Sequence, residues 1–267
     1  MTNAVTVKNI TFQEGETLIC VPLIGKTLDE ILGNAHGLVD AGADIIEWRV
    51  DHFAQVREMA QVMAALAEIR GSLKALPLLF TFRSKKEGGE TEISDEAYFA
   101  LNREAARSGL VDVIDIELFN DEAQIRALVD DAHAAGVKVI MSNHDFHGTP
   151  SREVIVNRLI QMKEFLADVP KIAVMPHTTG DVLTLLEATA EVKALYPSDP
   201  IITMAMGELG AVTRTAGALF GNAMTFASAG KTSAPGQIDV HALKRILDTI
   251  DVDGVFDEQQ HKRVKVH

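Results

Sequence analysis

The stretch VDVIDIELFNDEAQIRALVDDAHAAGVKVIMS, residues 111–142, decides the fold because it contains one complete strand–helix–strand unit. Its first and last apolar runs, Val111–Leu118 and Val137–Ser142, are rich in valine and isoleucine, which is typical of buried parallel strands. Between them, Asp121–Ala135 carries apolar residues at helical spacing, and Gly136 follows where helices commonly end. The segment therefore predicts two parallel strands joined by a helix.

The same alternation recurs along the chain about every 25 to 35 residues. The predicted strands are Thr17–Leu23, Asp44–Val50, Leu76–Phe82, Val111–Leu118, Val137–Ser142, Lys171–Met175, Ile201–Met206 and Ala223–Ala227. The predicted helices are Leu28–Ala41, Ala54–Arg70, Asp95–Ser108, Asp121–Ala135, Arg152–Ala167, Gly180–Leu195, Gly210–Phe220 and His241–Ile250. Gly42 and Gly109 stand at helix ends in the same way as Gly136.

Eight strand–helix units in about 250 residues are typical of an α/β protein with a (β/α)₈ TIM barrel. A doubly wound sheet needs fewer equal units, and no Gly-x-Gly-x-x-Gly opens a helix. The segment Val5–Phe12, followed by Glu14-Gly15-Glu16, predicts a β-hairpin that closes the bottom of the barrel. Since no linker or low-complexity tract interrupts the chain, we expect one domain over 1–267, with the hairpin at 1–16, the barrel at 17–250 and a C-terminal tail at 251–267.

The composition narrows the classes of partner. The chain has 267 residues, a hydrophobic fraction of 47% and a formal net charge of −13. Such an acidic protein is not expected to bind nucleic acid or an anionic membrane surface. Its field also repels anionic small molecules, so an anionic substrate would need arginines inside its pocket.

Targeting and metal signals are also absent from the sequence. The N-terminus lacks a secretory pattern and no apolar run reaches about 18 residues, so we expect a cytoplasmic protein. Cys20 is the single cysteine, which excludes an intrachain disulfide and a cysteine metal cluster. The histidines are scattered without the close pairing of a zinc-binding helix, so no metal site is predicted.

Lys171 is the most informative single residue. It begins the sixth predicted strand, within VPKIAVMP at 169–176. An apolar interior desolvates an ammonium group and favours the neutral amine, which attacks ketones and aldehydes to form imines. The alternative is a solvated lysine at a strand end, which is the more common situation. For the imine interpretation, the long side chain must carry the amine up through the apolar barrel.

Polar residues at the C-terminal ends of the strands are the other candidates, because barrel active sites are built there. These candidates are Glu47, Arg49, Asp51, Arg83, Asp115, Glu117, His144 and Arg214. His144 lies in a polar strand-end turn, which suits a general base. The loop GKTSAPGQ at 230–237 has small residues that suit closure over a ligand. An amine, a histidine and several arginines at one rim indicate an imine-forming enzyme with an anionic substrate.

Several of these residues have a purely structural alternative. Glu47 and Arg49 would neutralise each other inside the barrel, since buried charges are normally paired. Asp115 and Glu117 are more typical of structural partners for buried cations than of catalytic groups. The loop 230–237 is a weak phosphate site, because its proline lacks an amide donor and only one lysine accompanies it.

Taken in order, seven segments closely resemble type I 3-dehydroquinate dehydratase of the shikimate pathway. They are Leu23–Thr27, Asp44–Phe53, Thr81–Arg83 with Glu87–Gly89, Asp115–Leu118, Ser142–Phe146, Lys171–Pro176 and Ala229–Gln237. The resemblance covers essentially the whole chain. It implies a (β/α)₈ barrel homodimer that converts 3-dehydroquinate to 3-dehydroshikimate, the third step toward chorismate and the aromatic amino acids, without cofactor or metal.

The resemblance also implies a role for each site residue. Lys171 would form the imine, His144 would transfer protons, and Glu87 would orient His144. The substrate-binding residues would be Glu47, Arg49, Arg83, Arg214, Ser233 and Gln237, with Arg214 gripping the substrate carboxylate. Some relatives have serine where this chain has Pro22, so no hydroxyl contact is carried over to that position.

Two other classes of function compete with this one. A lysine-imine aldolase would usually need a strong phosphate site, and the signal for one is weak here. A non-catalytic binding barrel for a cyclic hydroxy acid would need Arg214 and the 230–237 loop but not Lys171. A scaffold protein is the least favoured class, because it would not gather charged residues at so many strand ends.

Overall fold

The computed structural model describes residues 4–13, 17–230 and 233–250. The strands are β1 Val5–Val7, β2 Ile10–Phe12, β3 Leu18–Leu23, β4 Ile45–Arg49, β5 Leu78–Thr81, β6 Val113–Glu117, β7 Lys138–Asp145, β8 Val169–Val174, β9 Ile202–Ala205, β10 Met224–Ser228 and β11 Ile238–Asp239. The α-helices are α1 Leu28–Asp40, α2 Met59–Ser72, α3 Asp95–Arg107, α4 Glu122–Ala134, α5 Arg152–Glu164, α6 Thr179–Leu195, α7 Ala211–Thr215 and α8 Val240–Thr249. Short 3₁₀ turns cover Val50–His52, Lys85–Glu87 and Gly217–Phe220.

The strands β3 to β10 form the predicted (β/α)₈ barrel. They pair in parallel in the order β10-β3-β4-β5-β6-β7-β8-β9, and the short β11 adds to β10. The remaining seam, between β9 and β10, is closed at its base. Ile201 forms a parallel bridge with Asn222, and Asn222 Oδ1 accepts a hydrogen bond from the backbone N–H of Thr203 at 2.9 Å. The fold prediction is therefore confirmed.

The N-terminal hairpin fills the bottom of the barrel. Strands β1 and β2 pair antiparallel, with Val5 opposite Phe12. Their buried apolar side chains form one cluster with residues near the starts of the barrel strands, including Leu18, Ile45 and Val113. Removing these side chains from water together stabilises both parts. The predicted hairpin is present, while its extension at 14–16 and the tail at 251–267 lie outside the described residues.

Side-chain alternation along each strand separates the two sides of the barrel wall. On β4, Ile45 points inward to the hairpin cluster, while Ile46 and Trp48 pack in the outer layer against the helices. Glu47 and Arg49 share the inward side with Ile45 and are buried. The inner side is thus apolar at the bottom and charged at the top, where the strands end.

Helix starts follow from local capping. The side chains of Thr27, Ser94 and Asp121 each accept a backbone N–H from the first turn of α1, α3 and α4, which satisfies donors that have no partner within a helix. At α6, Thr178 and Asp181 form a reciprocal capping box.

Predicted boundaries differ from the observed ones at several elements. Strand β7 runs to Asp145 and not to Ser142, helix α5 ends at Glu164 and not at Ala167, and three further differences have a local cause. The strand β8 begins at Val169, so Lys171 is its third residue and not its first; Pro170 reads as the residue before a strand, yet it lies inside this one. Helix α2 begins at Met59 because residues 54–58 form successive turns instead. The predicted helix 210–220 is split into α7 and a 3₁₀ turn that ends at Gly221, whose φ is +96°.

Candidate active site

The wall of the barrel at β4 to β6 carries a dense group of buried charges. We call Glu47, Glu87, Asp115 and Glu117 the acidic side of the site. Arg83 extends into it, and its guanidinium donates to Glu117 Oε1 at 2.9 Å and to Asp115 Oδ2 at 3.1 Å. These carboxylates raise the pKa of Arg83 despite its burial. Asp115 and Glu117 therefore do serve as partners of a buried cation.

Lys171 reaches the same acidic side. Its side chain is buried, with the residue 2% exposed, and Nζ lies 3.2 Å from Asp115 Oδ2 and 3.9 Å from Glu47 Oε1. The ring of Phe226 lies 4.4 Å from Nζ on another side. The amine is thus enclosed, but it contacts carboxylates and an aromatic face. The expectation of a purely apolar environment is wrong, because alternate residues of β4 and β6 bring these acids to the same depth.

Glu87 and His144 form a hydrogen-bonded pair at the rim. Glu87 ends a 3₁₀ turn at Lys85–Glu87, and Gly88 follows with φ +83°. Its Oε2 accepts the backbone N–H of His144 at 2.9 Å and lies 3.0 Å from His144 Nδ1. Asn143 Nδ2 donates to the other oxygen at 3.1 Å. The turn after β5 therefore holds one carboxylate against the end of β7.

The electrostatics of this pair follow from its surroundings. Burial and repulsion from Glu117 raise the pKa of Glu87 to about 8, against the lowering effect of Arg83. Burial lowers the pKa of His144 well below 6.5, and the nearby cations Arg83, Lys171 and Arg49 lower it further. His144 is therefore a neutral imidazole at neutral pH, as a general base must be.

Glu47 and Arg49 do not neutralise each other, contrary to the structural alternative. Arg49 makes a bidentate pair with Asp51, with both N···O distances at 2.8 Å. Glu47 instead accepts from the hydroxyl of Thr81 at 3.0 Å and faces Lys171. The pairing is offset because the 3₁₀ turn at Val50–His52 brings Asp51 back to the guanidinium.

The opposite wall, at β9, β10 and α7, is nearly free of charge. We call this wall the neutral side of the site, because Arg214 is surrounded there by uncharged groups such as Met204 and Phe226. Arg214 is 1% exposed, and its guanidinium donates to the carbonyl oxygens of Phe226 and Pro235 at 3.3 and 3.2 Å. Among the described residues no carboxylate pairs with it, and its Nε is buried without a partner. Burial lowers its pKa to about 10.

The loop after β10 lies over the neutral side. Ser233 and Gln237 bond reciprocally, with the Ser233 N–H donating to Oε1 at 2.9 Å and Gln237 Nε2 donating to the Ser233 hydroxyl at 3.0 Å. Gly236 has φ +77°, and any Cβ there would meet the backbone of Gly207 at 2.3 Å. The loop can approach β9 this closely only with glycine at that position.

All nine predicted site residues line one cavity. They are Lys171, His144, Glu87, Glu47, Arg49, Arg83, Arg214, Ser233 and Gln237. Sequence reasoning did not assign Phe146, Ala173 or Phe226 to this cavity, although they line it as well. The inward positions of β8 and β10 signal the last two, because Ala173 lies two residues after Lys171.

The comparisons with known proteins agree with this geometry. The family model for type I 3-dehydroquinase matches residues 19–253. The chain belongs to the type I 3-dehydroquinase family. It is an enzyme of that family, so the predicted resemblance is confirmed. A 3-dehydroquinate dehydratase of Klebsiella pneumoniae is 79% identical over 250 residues, which are 94% of this chain and 100% of the relative. One of Listeria monocytogenes is 54% identical over 93% of this chain and 98% of the relative.

Solved structures of type I 3-dehydroquinases share the fold. The enzyme of Clostridium difficile, solved with covalent modified comenic acid, has a TM-score of 0.90 at 50% identity and covers 94% of this chain and 98% of its own. The enzyme of Geobacillus kaustophilus has a TM-score of 0.90 at 35% identity, with coverage of 97% and 100%. The barrel assignment thus rests on structural neighbours as well as on the sheet order.

The described residues contain neither a membrane-spanning helix nor a cluster of metal-binding side chains. None of their helices is long and apolar enough to cross a lipid bilayer. No group of three or more His, Cys, Asp or Glu side chains within 4–13, 17–230 and 233–250 is arranged to hold a metal ion.

Proposed function

We propose that the chain dehydrates 3-dehydroquinate to 3-dehydroshikimate, the third step of the shikimate pathway, through an imine on Lys171. The observation that carries the proposal is the pairing, in one cavity, of an enclosed amine with a buried guanidinium that has no carboxylate partner among the described residues. The amine suits a ketone, and Arg214 suits the carboxylate of the same substrate.

Arg214 selects for an anionic substrate. Its burial is costly without a counter-charge, as the fall of its pKa to about 10 indicates. A substrate carboxylate that forms a two-pronged pair with the guanidinium offsets this cost. The pair would also hold the substrate ring at a fixed distance from Lys171. Such fixed placement of the two reacting groups accelerates the reaction.

The acidic side supports imine formation at Lys171. Nζ first transfers a proton to His144 and then attacks the ketone carbon. The resulting carbinolamine loses its hydroxyl as water, which leaves the protonated imine. His144 supplies and removes the protons of these steps. Asp115 and Glu47, at 3.2 and 3.9 Å from Nζ, stabilise the positive charge that the imine retains.

Elimination follows from the acidity of the carbon next to the imine. His144 removes a proton from that carbon and returns it to the departing hydroxyl, so one water leaves and a carbon–carbon double bond forms. Hydrolysis of the imine consumes the water released during its formation, and the net change is the loss of one water. One histidine can perform both transfers if both groups leave from the same face.

The remaining cavity residues hold the substrate in this proposal. Glu87 orients His144 through the 3.0 Å contact with Nδ1. Hydroxyl groups of the substrate are held by Glu47, Arg49 and Arg83. Ser233 and Gln237, whose reciprocal hydrogen bonds brace the loop, close the cavity over the bound molecule.

We also propose an organisation for the whole chain. It forms one barrel domain over 1–267 and a homodimer, acts in the cytoplasm and uses no cofactor, metal or nucleic acid. The enzymes of Klebsiella pneumoniae and Clostridium difficile match it over nearly their full length, which supports the single domain. Light scattering on a size-exclusion column measures the mass, for which two chains are expected.

Turnover of 3-dehydroquinate tests the function. The parent protein is expected to produce the conjugated enone, which absorbs in the ultraviolet, and Lys171→Ala is expected to lower kcat about 10⁴-fold or more. Lys138→Ala is the matched control, since Lys138 lies on neighbouring β7 but pairs with Asp168 outside the cavity. If the parent makes no enone, or if Lys171→Ala retains its kcat, the proposal is wrong.

A further inference from the structure

A chain of hydrogen bonds begins on helix α5, outside the cavity, and ends at His144, which lines the cavity. Arg158 Nη1 donates to Asn143 Oδ1 at 2.8 Å. Asn143 Nδ2 donates to Glu87 Oε1 at 3.1 Å, and the other oxygen of Glu87 contacts His144 Nδ1 at 3.0 Å. Arg158 does not line the cavity, so it has no direct contact with a molecule bound there.

The chemistry of Arg158 determines the direction of this chain. A guanidinium only donates hydrogen bonds, so Asn143 must turn its carbonyl oxygen toward Arg158. The amide nitrogen then faces Glu87 as a donor. The opposite orientation would place two donors against each other at one end and two acceptors at the other. Asn143 is 4% exposed, so water does not easily replace either partner.

Arg158 is itself held in place. Its Nη1 lies 3.7 Å from Asp145 Oδ2, and its guanidinium stacks 5.2 Å from the ring centre of Phe119. The side chain is 21% exposed. A fixed guanidinium gives a steadier donor than a mobile one, because less conformational entropy is lost in each hydrogen bond.

We propose that Arg158 is a positioning residue that acts through Asn143 to hold Glu87 against His144 Nδ1, so that the imidazole presents Nε2 to the substrate. The inference rests on the proposed function, since that function assigns the proton transfers to His144. The inference adds a residue of the outer helix layer to those that determine the geometry of the site.

The contacts and charges around Glu87 and His144 predict what loss of Arg158 does. Glu87 faces His144 on one side, Arg83, Lys171 and Arg49 act on it from within the barrel, and Asp145 follows it in β7. The pKa of Glu87 is about 8, and the hydrogen bond donated by Asn143 is one of the contacts that lower it. Without Arg158, Asn143 can turn its carbonyl toward Glu87, which removes that donor and raises the pKa of Glu87 further. The carboxyl also loses the contact that fixes its position, so His144 is held less precisely for proton transfer.

The variant Arg158→Met tests the inference. We expect kcat to fall about tenfold, as for loss of one hydrogen bond to a charged group, with little change in KM. Arg158→Lys should restore most of the rate. Arg126→Met is the matched control, because Arg126 also stacks on a phenylalanine, Phe165, but away from the site.

Two measurements separate this role from a merely structural one. In a Glu87→Gln background, Arg158→Met should cause no further loss of kcat; an equal loss in both backgrounds overturns the inference. In the ligand-free protein, a carbon NMR titration should show a higher pKa for the Glu87 carboxyl in Arg158→Met than in Arg126→Met. An unchanged Glu87 titration also overturns it. The titration needs no turnover, so it decides the inference even if the proposed function fails.

Discussion

Arg83 and Arg214 are both buried in the same cavity, yet their surroundings are opposite. Arg83, on the acidic side, contacts Asp115, Glu117 and, at 3.5 Å, Glu87. Arg214, on the neutral side, has two carbonyl oxygens and the sulfur of Met204 as neighbours. Their pKa values move in opposite directions as a result, upward for Arg83 and down to about 10 for Arg214.

The difference separates the two kinds of work in the site. The charge of Arg83 is already satisfied by the protein, so this arginine holds the acidic side together before any substrate arrives. The charge of Arg214 is not satisfied by any described carboxylate, and in our proposal the substrate supplies the missing partner. The acidic side therefore contributes mainly to stability, and the neutral side mainly to substrate recognition.

Replacing Arg83 should give the largest loss of stability. In Arg83→Met, Asp115 and Glu117 lose the cation that neutralises them inside the barrel. Removing one partner from a buried pair costs about 3–5 kcal/mol. Urea unfolding at neutral pH measures this loss in the free energy of unfolding. A loss below about 1 kcal/mol would show that Arg83 is not the electrostatic centre of the acidic side.

Replacing Arg214 should give the reverse pattern. Arg214→Met relieves an unpaired buried charge, so the free energy of unfolding should change by about 1 kcal/mol or less. The value of kcat/KM should nevertheless fall about a hundredfold to a thousandfold, because the substrate carboxylate loses its partner. Steady-state kinetics beside the same urea series check both parts. A large loss of stability with normal kinetics would place Arg214 with Arg83 as a structural group.

The Glu87 and His144 pair gives a smaller, pH-dependent effect. The pKa of Glu87 is about 8 in the folded protein and near 4.5 when unfolded, so the folded state binds more protons in between and stability falls as pH rises toward 8. His144 acts below pH 6.5, where its lowered pKa makes stability fall as pH falls. Between pH 6.5 and about 8 the Glu87 contribution therefore remains alone.

Glu87→Gln should remove that slope. Urea midpoints measured across this pH interval should decline in the parent and stay level in the variant. Equal slopes in the two proteins would mean that Glu87 is an ordinary carboxylate. Lys86→Gln is a suitable control, since Lys86 is the exposed neighbour of Glu87.

The sequence is sufficient for the barrel but not for the pairing of charges inside it. Strands rich in valine and isoleucine, separated by amphipathic helices, predict the order of elements, and positions at strand ends predict the site. Which carboxylate meets Arg83, Lys171 or Arg49 depends on strand register, and neighbouring strands are staggered around a barrel. The partnership of Arg49 with Asp51 instead of Glu47 is an example.

Two other features were beyond sequence reasoning for similar reasons. Pro170 suggests the start of a strand, whereas the pairing of Val169 with Ile140 begins β8 earlier. Arg158 and Asn143 are 15 residues apart, on a helix and a strand, and nothing in either local pattern indicates that they meet. Contacts between layers of the fold can be identified only from the three-dimensional structure, whereas periodicity along one element can be read from the sequence.

Trapping the imine tests the central claim most directly. The protein is mixed with 3-dehydroquinate and borohydride, which reduces an imine to a stable amine, and the peptides are then analysed by mass spectrometry. The account predicts one adduct per chain, on the peptide that contains Lys171, and none on Lys171→Ala. If the enone forms but Lys171 carries no adduct, elimination proceeds without an imine and the account is contradicted.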